Sequence, residues 1–289
     1  MGETISYKFV AVKDDVEGAP KEADFELIDA SVSISSIEQS SNQVLVKCLQ
    51  PIDGRGVGRV MASSHPEFKK DDLVSGLLIW AEYVVVENVN LLWKLDPMGF
   101  PMSYHVGILG VSGLTAYAGF YKVGKPKKGD RVFVSAASGS VGNLVGQYAK
   151  LLGCYVVGSA GTPQKVALLK QKLGKMLEAA IANMNPFGRV VVCGVISQYT
   201  TTDPATPAAA PDMINVIYKR ITIQGFLAND FLEEIFEEFV SNTSKYLHAG
   251  QMQVLEDISF GLESIPSAFV GLFCGRNIGK SIVQIADHS

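Results

Sequence analysis

Over the first hundred residues, apolar positions come in short β-prone runs broken by turn residues: YKFVAV (7–12), FELIDASVSI (25–34), QVLVKCL (43–49), GVGRVMAS (56–63) and AEYVVVE (81–87). This rhythm predicts an antiparallel β domain. From about residue 104 the style changes to a Gly/Ala-rich helical stretch (104–123), a KPKKGD turn, and RVFVSA (131–136) as a near-continuous apolar strand. Helix and strand then alternate: LVGQYAKLLG (144–153) helical, CYVVGSA (154–160) a buried strand, PQKVALLKQKLG (163–174) and KMLEAAIANMNP (175–186) helical, RVVVCGV (189–195) and RITIQGF (220–226) strands. Uninterrupted β-branched strands joined by helices are what a parallel sheet covered on both faces requires. The tail returns to the first style, with GLESIPSAFVGLFCG (261–275) as a helix and GKSIVQIA (279–286) as a last strand. The predicted fold is α/β: a doubly wound nucleotide domain, residues 104–248, inserted between two parts of a β domain, 1–103 and 249–289. The stretch TTTDPATPAAAP (200–211) reads as a mobile loop by composition, and no internal repeat is present.

Composition narrows the function classes. With 289 residues, 47% of them hydrophobic, the chain can bury a sizeable core. The net charge of −4 comes from acids and bases mixed along the sequence, so no basic stripe offers itself to nucleic acid or an anionic membrane. Cys48, Cys154, Cys193 and Cys274 lack the spacing of a tetrahedral metal site and read as buried reduced thiols. Asp14, Asp15 and Glu17 argue against an organellar leader, and the N-terminus lacks the apolar core of a secretory signal. The most apolar stretch (106–121) is shorter than the ~20 residues of a bilayer span. These features point to a cytoplasmic enzyme or binding protein without metal, membrane or polynucleotide partners.

The chemistry concentrates after the strand at 131–136. Ala137-x-Gly139-x-x-Gly142, with Val141 inside it, follows a strand and opens a helix, the context in which such a turn cradles a pyrophosphate. Gly139 admits the backbone to the phosphates and Gly142 allows close helix packing; Ala137 stands where a fuller fingerprint has glycine. An NAD site carries Asp or Glu about 20 residues on, for the ribose hydroxyls. Here Gly158, Ser159, Ala160, Gly161 and Thr162 leave space instead, with Lys165 close behind. Space and a cation suit a 2′-phosphate, so the expected cofactor is NADP(H). Alone, Lys165 reads equally well as a solvated helix lysine; the missing acid tips the reading.

The run GILGVSGLTAYAGFYKVGKPKKGDRVFVSAASGSVGNLVGQYAKLLGCYVVGSAGTPQKVALLK (107–170), with GRVVVCGVISQYT (188–200) and FVGLFCGRNIGK (269–280), closely resembles the plant NADP-dependent alkenal double-bond reductases. These are zinc-independent medium-chain dehydrogenase/reductases. The resemblance implies a Rossmann doubly wound parallel sheet inserted in a GroES-like antiparallel β domain, a homodimer, and reduction of the C=C bond of α,β-unsaturated aldehydes or ketones. It implies that Lys165 binds the 2′-phosphate, that Gly142 meets the pyrophosphate, and that Cys193, Ile196 and Asn277 line the cofactor. Tyr199, closing SQY, matches the family's active-site tyrosine; without the family it reads as a loop tyrosine packed under the Pro-rich segment. Trp80 and Tyr83 in WAEY match an element at the β-domain edge, where Trp80 reads as core or as substrate pocket. Arg55 stands where the family often has an aromatic on the substrate side, and Phe226 faces the pocket or ends a buried strand. His65 and His105 lie near no acid or nucleophile and read as surface or core residues.

Two departures stand out. After VLVKCLQP (44–51) the sequence passes to IDGRGVGRV (52–60), omitting a segment that in the family carries a pocket tyrosine. At Gly174 two helical patterns abut with no strand between them, a gap of about 40 residues by what one βαβ unit requires. The sheet is then expected to lose a central ladder. Three origins fit: omission of mobile stretches from a longer chain, a splice-like or engineered variant, or a degenerate non-enzyme that still binds NADPH.

Overall fold

The structure is a computed structural model that describes residues 3–40, 42–52, 55–159, 173–196, 199 and 213–286. Strands β1 (Thr4–Val12) and β2 (Phe25–Ser33) form an antiparallel pair, and helix α1 (Ile34–Gln39) follows. The next five strands are β3 (Val44–Ile52), β4 (Arg55–Ser63), β5 (Leu73–Gly76), β6 (Tyr83–Val86) and β7 (Leu92–Lys94). They build one antiparallel sheet in the order β6-β3-β4-β5-β7. Central β3 is covered on both faces. Val44, Val46 and Cys48 pack with Val60, Val74 and Leu78 on one side, and Leu45 packs with Ile37 of α1 and Ala62 on the other. Burial pushes the Cys48 thiol up, keeping it protonated and inert.

Helices α2 (Met102–Val106) and α3 (Val111–Tyr117) lead through a π-helical turn, Ala118–Gly124, to β8 (Arg131–Val134). Then come α4 (Ser140–Leu152), β9 (Tyr155–Gly158), α5 (Leu173–Asn183), β10 (Arg189–Val192), α6 (Met213–Lys219), β11 (Thr222–Gly225) and α7 (Leu232–His248). The core of this half joins α3, α4 and α7 through Leu114, Tyr117, Leu144, Tyr148, Ile235 and Phe239. Its aromatic hydroxyls are satisfied in place. Tyr148 shares a 2.8 Å hydrogen bond with Thr243, and Tyr117 donates to Glu238 at 2.7 Å and accepts from Asn242 at 2.9 Å. Burial, then the Glu238 carboxylate, pushes the Tyr117 phenol up to about 12. The tail adds β12 (Glu256–Phe260), α8 (Ile265–Cys274) and β13 (Lys280–Gln284), with β12 and β13 parallel. Ile285 donates its N–H to Leu49 O at 3.0 Å, tying the tail to β3.

Parallel strands joined by helices, held between an antiparallel sheet and a tail returning to it, define a Rossmann-type domain inserted in a GroES-like β domain. The parallel sheet is interrupted. β8 pairs with β9 and β10 with β11, and no ladder joins the two pairs among the described residues. The interruption coincides with the abutting helical patterns at Gly174. The helix predicted over 163–174 falls mostly outside the described residues. The thiol expectation needs correction, because only Cys48 is buried; Cys154 is half-buried and Cys193 and Cys274 are exposed, all four unbridged. Cys193 lies one residue past the end of β10, where the strand no longer covers it.

Candidate cofactor and substrate site

β8 ends at Val134, and the chain turns through residues 135–138 into α4. Ala136 holds the turn at φ +48°, a left-handed conformation that costs a residue bearing a Cβ roughly 1–2 kcal/mol. Gly139 donates to Ala136 O at 2.9 Å to close it. No side chain caps α4, so its first-turn N–H groups and their partial positive charge remain for an outside acceptor. A Cβ on Gly139 would meet only the Ala136 carbonyl, at 3.2 Å, with open space beyond; one on Gly142 would run into the backbone of Ala136 and Ala137. Gly142 is thus required by helix-to-turn packing, while Gly139 leaves the approach to the amides clear. A diphosphate fits this seat. Ala137 is accommodated by its neighbour strand: a Cβ on Gly158 would lie 2.6 Å from the Ala137 Cβ, so the glycine missing from the turn is replaced by one at the end of β9.

The tail braces the turn. Gly279 donates to Ser138 O at 2.7 Å and forms an isolated parallel bridge with Gly139. Asn277 lies beside it, its amide donating to Gly279 O at 2.8 Å. Gln147 of α4 donates to Gln253 O at 2.9 Å and accepts from Gln253 N–H at 2.8 Å.

At the C-terminal end of β10, where ligands bind in open parallel sheets, Cys193 and Ile196 are exposed. Tyr199 belongs to the same loop and is 63% exposed. Its hydroxyl accepts the Val195 N–H at 3.2 Å and keeps its own proton to donate. Gly161 and Lys165 lie outside the described residues. Three other expected site residues are placed elsewhere. Trp80, half-buried, joins Phe25 and Phe269 in an aromatic cluster, with ring centroids 5.7 and 4.9 Å away. The Phe226 ring packs against Gly119 of the π-helical turn and against Phe231, the contacts of a strand end. Arg55 begins β4, paired in register with Ile52 across the hairpin, and is not brought to the glycine turn. Tyr83 lies edge-on to Tyr7, and His105 is half-buried with Nε2 3.1 Å from Pro97 O. Sequence reasoning missed Ser138, Gln147 and the Gln253 segment, because a backbone carbonyl leaves no residue-type signal and a helix glutamine reads as an ordinary polar residue until its distant partner is known.

No family model matches the chain. Its glycine turn and fold define a dinucleotide-dependent oxidoreductase, and among the described residues no group of three metal-ligating side chains occurs. The 2-alkenal reductase (NADP(+)-dependent) of Nicotiana tabacum is 39% identical, with 99% of each chain covered. That alignment spans 346 positions against the 289 residues here, so the relative carries residues this chain lacks. The (+)-pulegone reductase of Mentha piperita is 41% identical over 80% of this chain and 77% of its own. Among solved structures, CurA from Vibrio vulnificus in complex with NADPH matches with a TM-score of 0.81 at 27% identity, over 97% of this chain and 99% of its own. The chain belongs to the NADP-dependent alkenal double-bond reductases of the zinc-independent medium-chain dehydrogenase/reductase family.

Proposed function

We propose that this protein reduces the C=C bond of α,β-unsaturated aldehydes and ketones with NADPH, hydride adding at the β-carbon. The observation that carries the reading is the uncapped first turn of α4 under an unobstructed Gly139, in a chain 39% identical along its length to an alkenal reductase. NADPH supplies the hydride when bound. The amides around Gly139, Val141 and Gly142 hold the pyrophosphate, Lys165 the 2′-phosphate, and the loop with Cys193 and Ile196, together with Asn277, flanks the rest. The Tyr199 hydroxyl donates to the substrate carbonyl oxygen, where negative charge gathers as hydride arrives. The nucleotide domain is residues 104–248 and the substrate domain 1–103 with 249–289. We place the enzyme in the cytoplasm, in keeping with four unbridged thiols, as a homodimer of the plant type. The exposed Ile214, Ile217 and Tyr218 of α6 and Ile223 of β11 support the dimer.

Loss of NADPH absorbance with a panel of enals and enones tests the reaction. Tyr199→Phe is expected to lower kcat by about 10²–10³ while NADPH affinity holds. Unchanged turnover removes Tyr199 from the reaction. The interrupted parallel sheet favours a second reading, a catalytically silent NADPH-binding homologue. Wild-type protein that binds NADPH yet turns over no member of the panel would establish it.

A further inference from the structure

Behind the phosphate-binding turn lies a cavity of about 10 Å³, lined by Gly107 after α2, Ser140, Asn143 and Leu144 of α4, Glu256 of β12 and Lys280 of β13. Two polar atoms are buried here without a partner, Ser140 Oγ and Glu256 Oε1. The Ser103 side chain of α2 favours the ionised Glu256 carboxyl, and burial outweighs that influence to raise its pKa. Lys280, its register partner across β12 and β13, is the other charged group facing the space. A volume near 10–15 Å³ suits about one water molecule, and two orphaned buried oxygens are strong reason for one to be held there.

We propose that Glu256 is a positioning residue for the cofactor: one ordered water bridges its Oε1 to Ser140 Oγ. The link then runs from Glu256 of β12 through the water to the first residue of α4. Ser140 contributes its side chain to the cavity while its backbone N–H belongs to the first turn, so fixing the one orients the other. The inference rests on the reading of that turn as the pyrophosphate seat. It assigns a role to a half-buried carboxyl, one oxygen of which is fully enclosed, that hydride transfer does not use.

The test measures NADPH Kd, KM, kcat and cofactor-free Tm for wild type, Glu256→Ala, Glu256→Gln, Ser140→Ala and the Glu256→Ala/Ser140→Ala double variant. Each alanine variant is expected to raise NADPH Kd and KM by about tenfold, the loss of one buried hydrogen bond, with kcat unchanged. Because both side chains act through one link, the double variant binds no more weakly than either single. Glu256→Gln restores binding, since an amide also hydrogen-bonds the water. A fall in Tm with unaltered NADPH Kd, or additive losses in the double variant, would overturn the proposal. Wild type that takes up no NADPH sinks the pyrophosphate reading itself; equal affinity across wild type and variants sinks only the link through Glu256.

Discussion

β3 and β9 carry similar runs, VLV and YVV, and end in opposite surroundings. Val44, Leu45 and Val46 are fully buried, whereas Tyr155 and Val157 are 71% and 64% exposed. β3 has β4 and β6 on either side and α1 over its second face; among the described residues β9 has β8 along one edge and α4 against Val156 on one face, while Tyr155 and Val157 point to the uncovered side. A β-branched run marks a strand, but its burial is conferred by neighbours that lie far off in sequence. The same contrast extends to the two halves of the molecule: the antiparallel sheet is closed around its core, and among the described residues the parallel strands form separate pairs with apolar side chains facing out.

Substitutions at matched positions should separate the halves most. Leu45→Ala is expected to cost about 2–5 kcal/mol in denaturant unfolding, and Val157→Ala about 0.5 kcal/mol or less. Comparable losses at the two sites would mean that β9 is covered in solution and that the contrast is false. A sharper version lies within α4. Gly142→Ala drives a methyl into the Ala136 backbone, at a cost of about 1–3 kcal/mol, and is expected to weaken NADPH binding by about tenfold or more in calorimetry. Gly146→Ala, whose Cβ would meet only Val156 Cγ1 at 3.9 Å, is expected to stabilise the helix by up to about 1 kcal/mol and leave binding alone.

The smallest effect is in pH dependence. Asp72 on the edge of the antiparallel sheet is held below the usual carboxylate range, chiefly by the hydrogen bond from Lys94 at 2.8 Å and then by the Lys69 N–H. Unfolding frees it to take a proton, so its stabilisation is present above about pH 4 and is lost as pH falls through the folded value. Glu256, raised by burial, has the opposite sign: its contribution is present below the ordinary carboxylate range and lost as pH rises through its folded value. Thermal melts across pH should show Asp72→Asn flattening the acid limb by at most about 1 kcal/mol, water screening the pair, and Glu256→Gln removing the loss on the rising limb.

Much of the candidate site was legible because its signals are local. Strand, turn and helix around Gly139 and Gly142 are set by apolar pattern and by the absence of side chains, both visible in a dozen residues. The SQY tyrosine stood out only through family resemblance, since a phenol beside a Pro-rich stretch has no periodicity to mark it. β12 escaped notice because EDISF alternates weakly and becomes a strand only through pairing with β13 beyond a helix. The packing of Trp80 against Phe25 and Phe269, from opposite ends of the chain, left no signal in its local sequence.

By itself the amino-acid sequence determined the strand–turn–helix around Gly139 and Gly142, the lack of an acid about 20 residues beyond it, and the break in the βα alternation at Gly174. Each depends on residues adjacent along the chain, where backbone sterics and hydrophobic period act directly. Only the tertiary structure decided that Gly279 would clamp Ser138, that β9 would stay exposed while β3 was enclosed, and that Glu256 would face Ser140 across a water-sized space. Those outcomes depend on which distant segments come within hydrogen-bond and van der Waals range, and that proximity is a property of the packed chain.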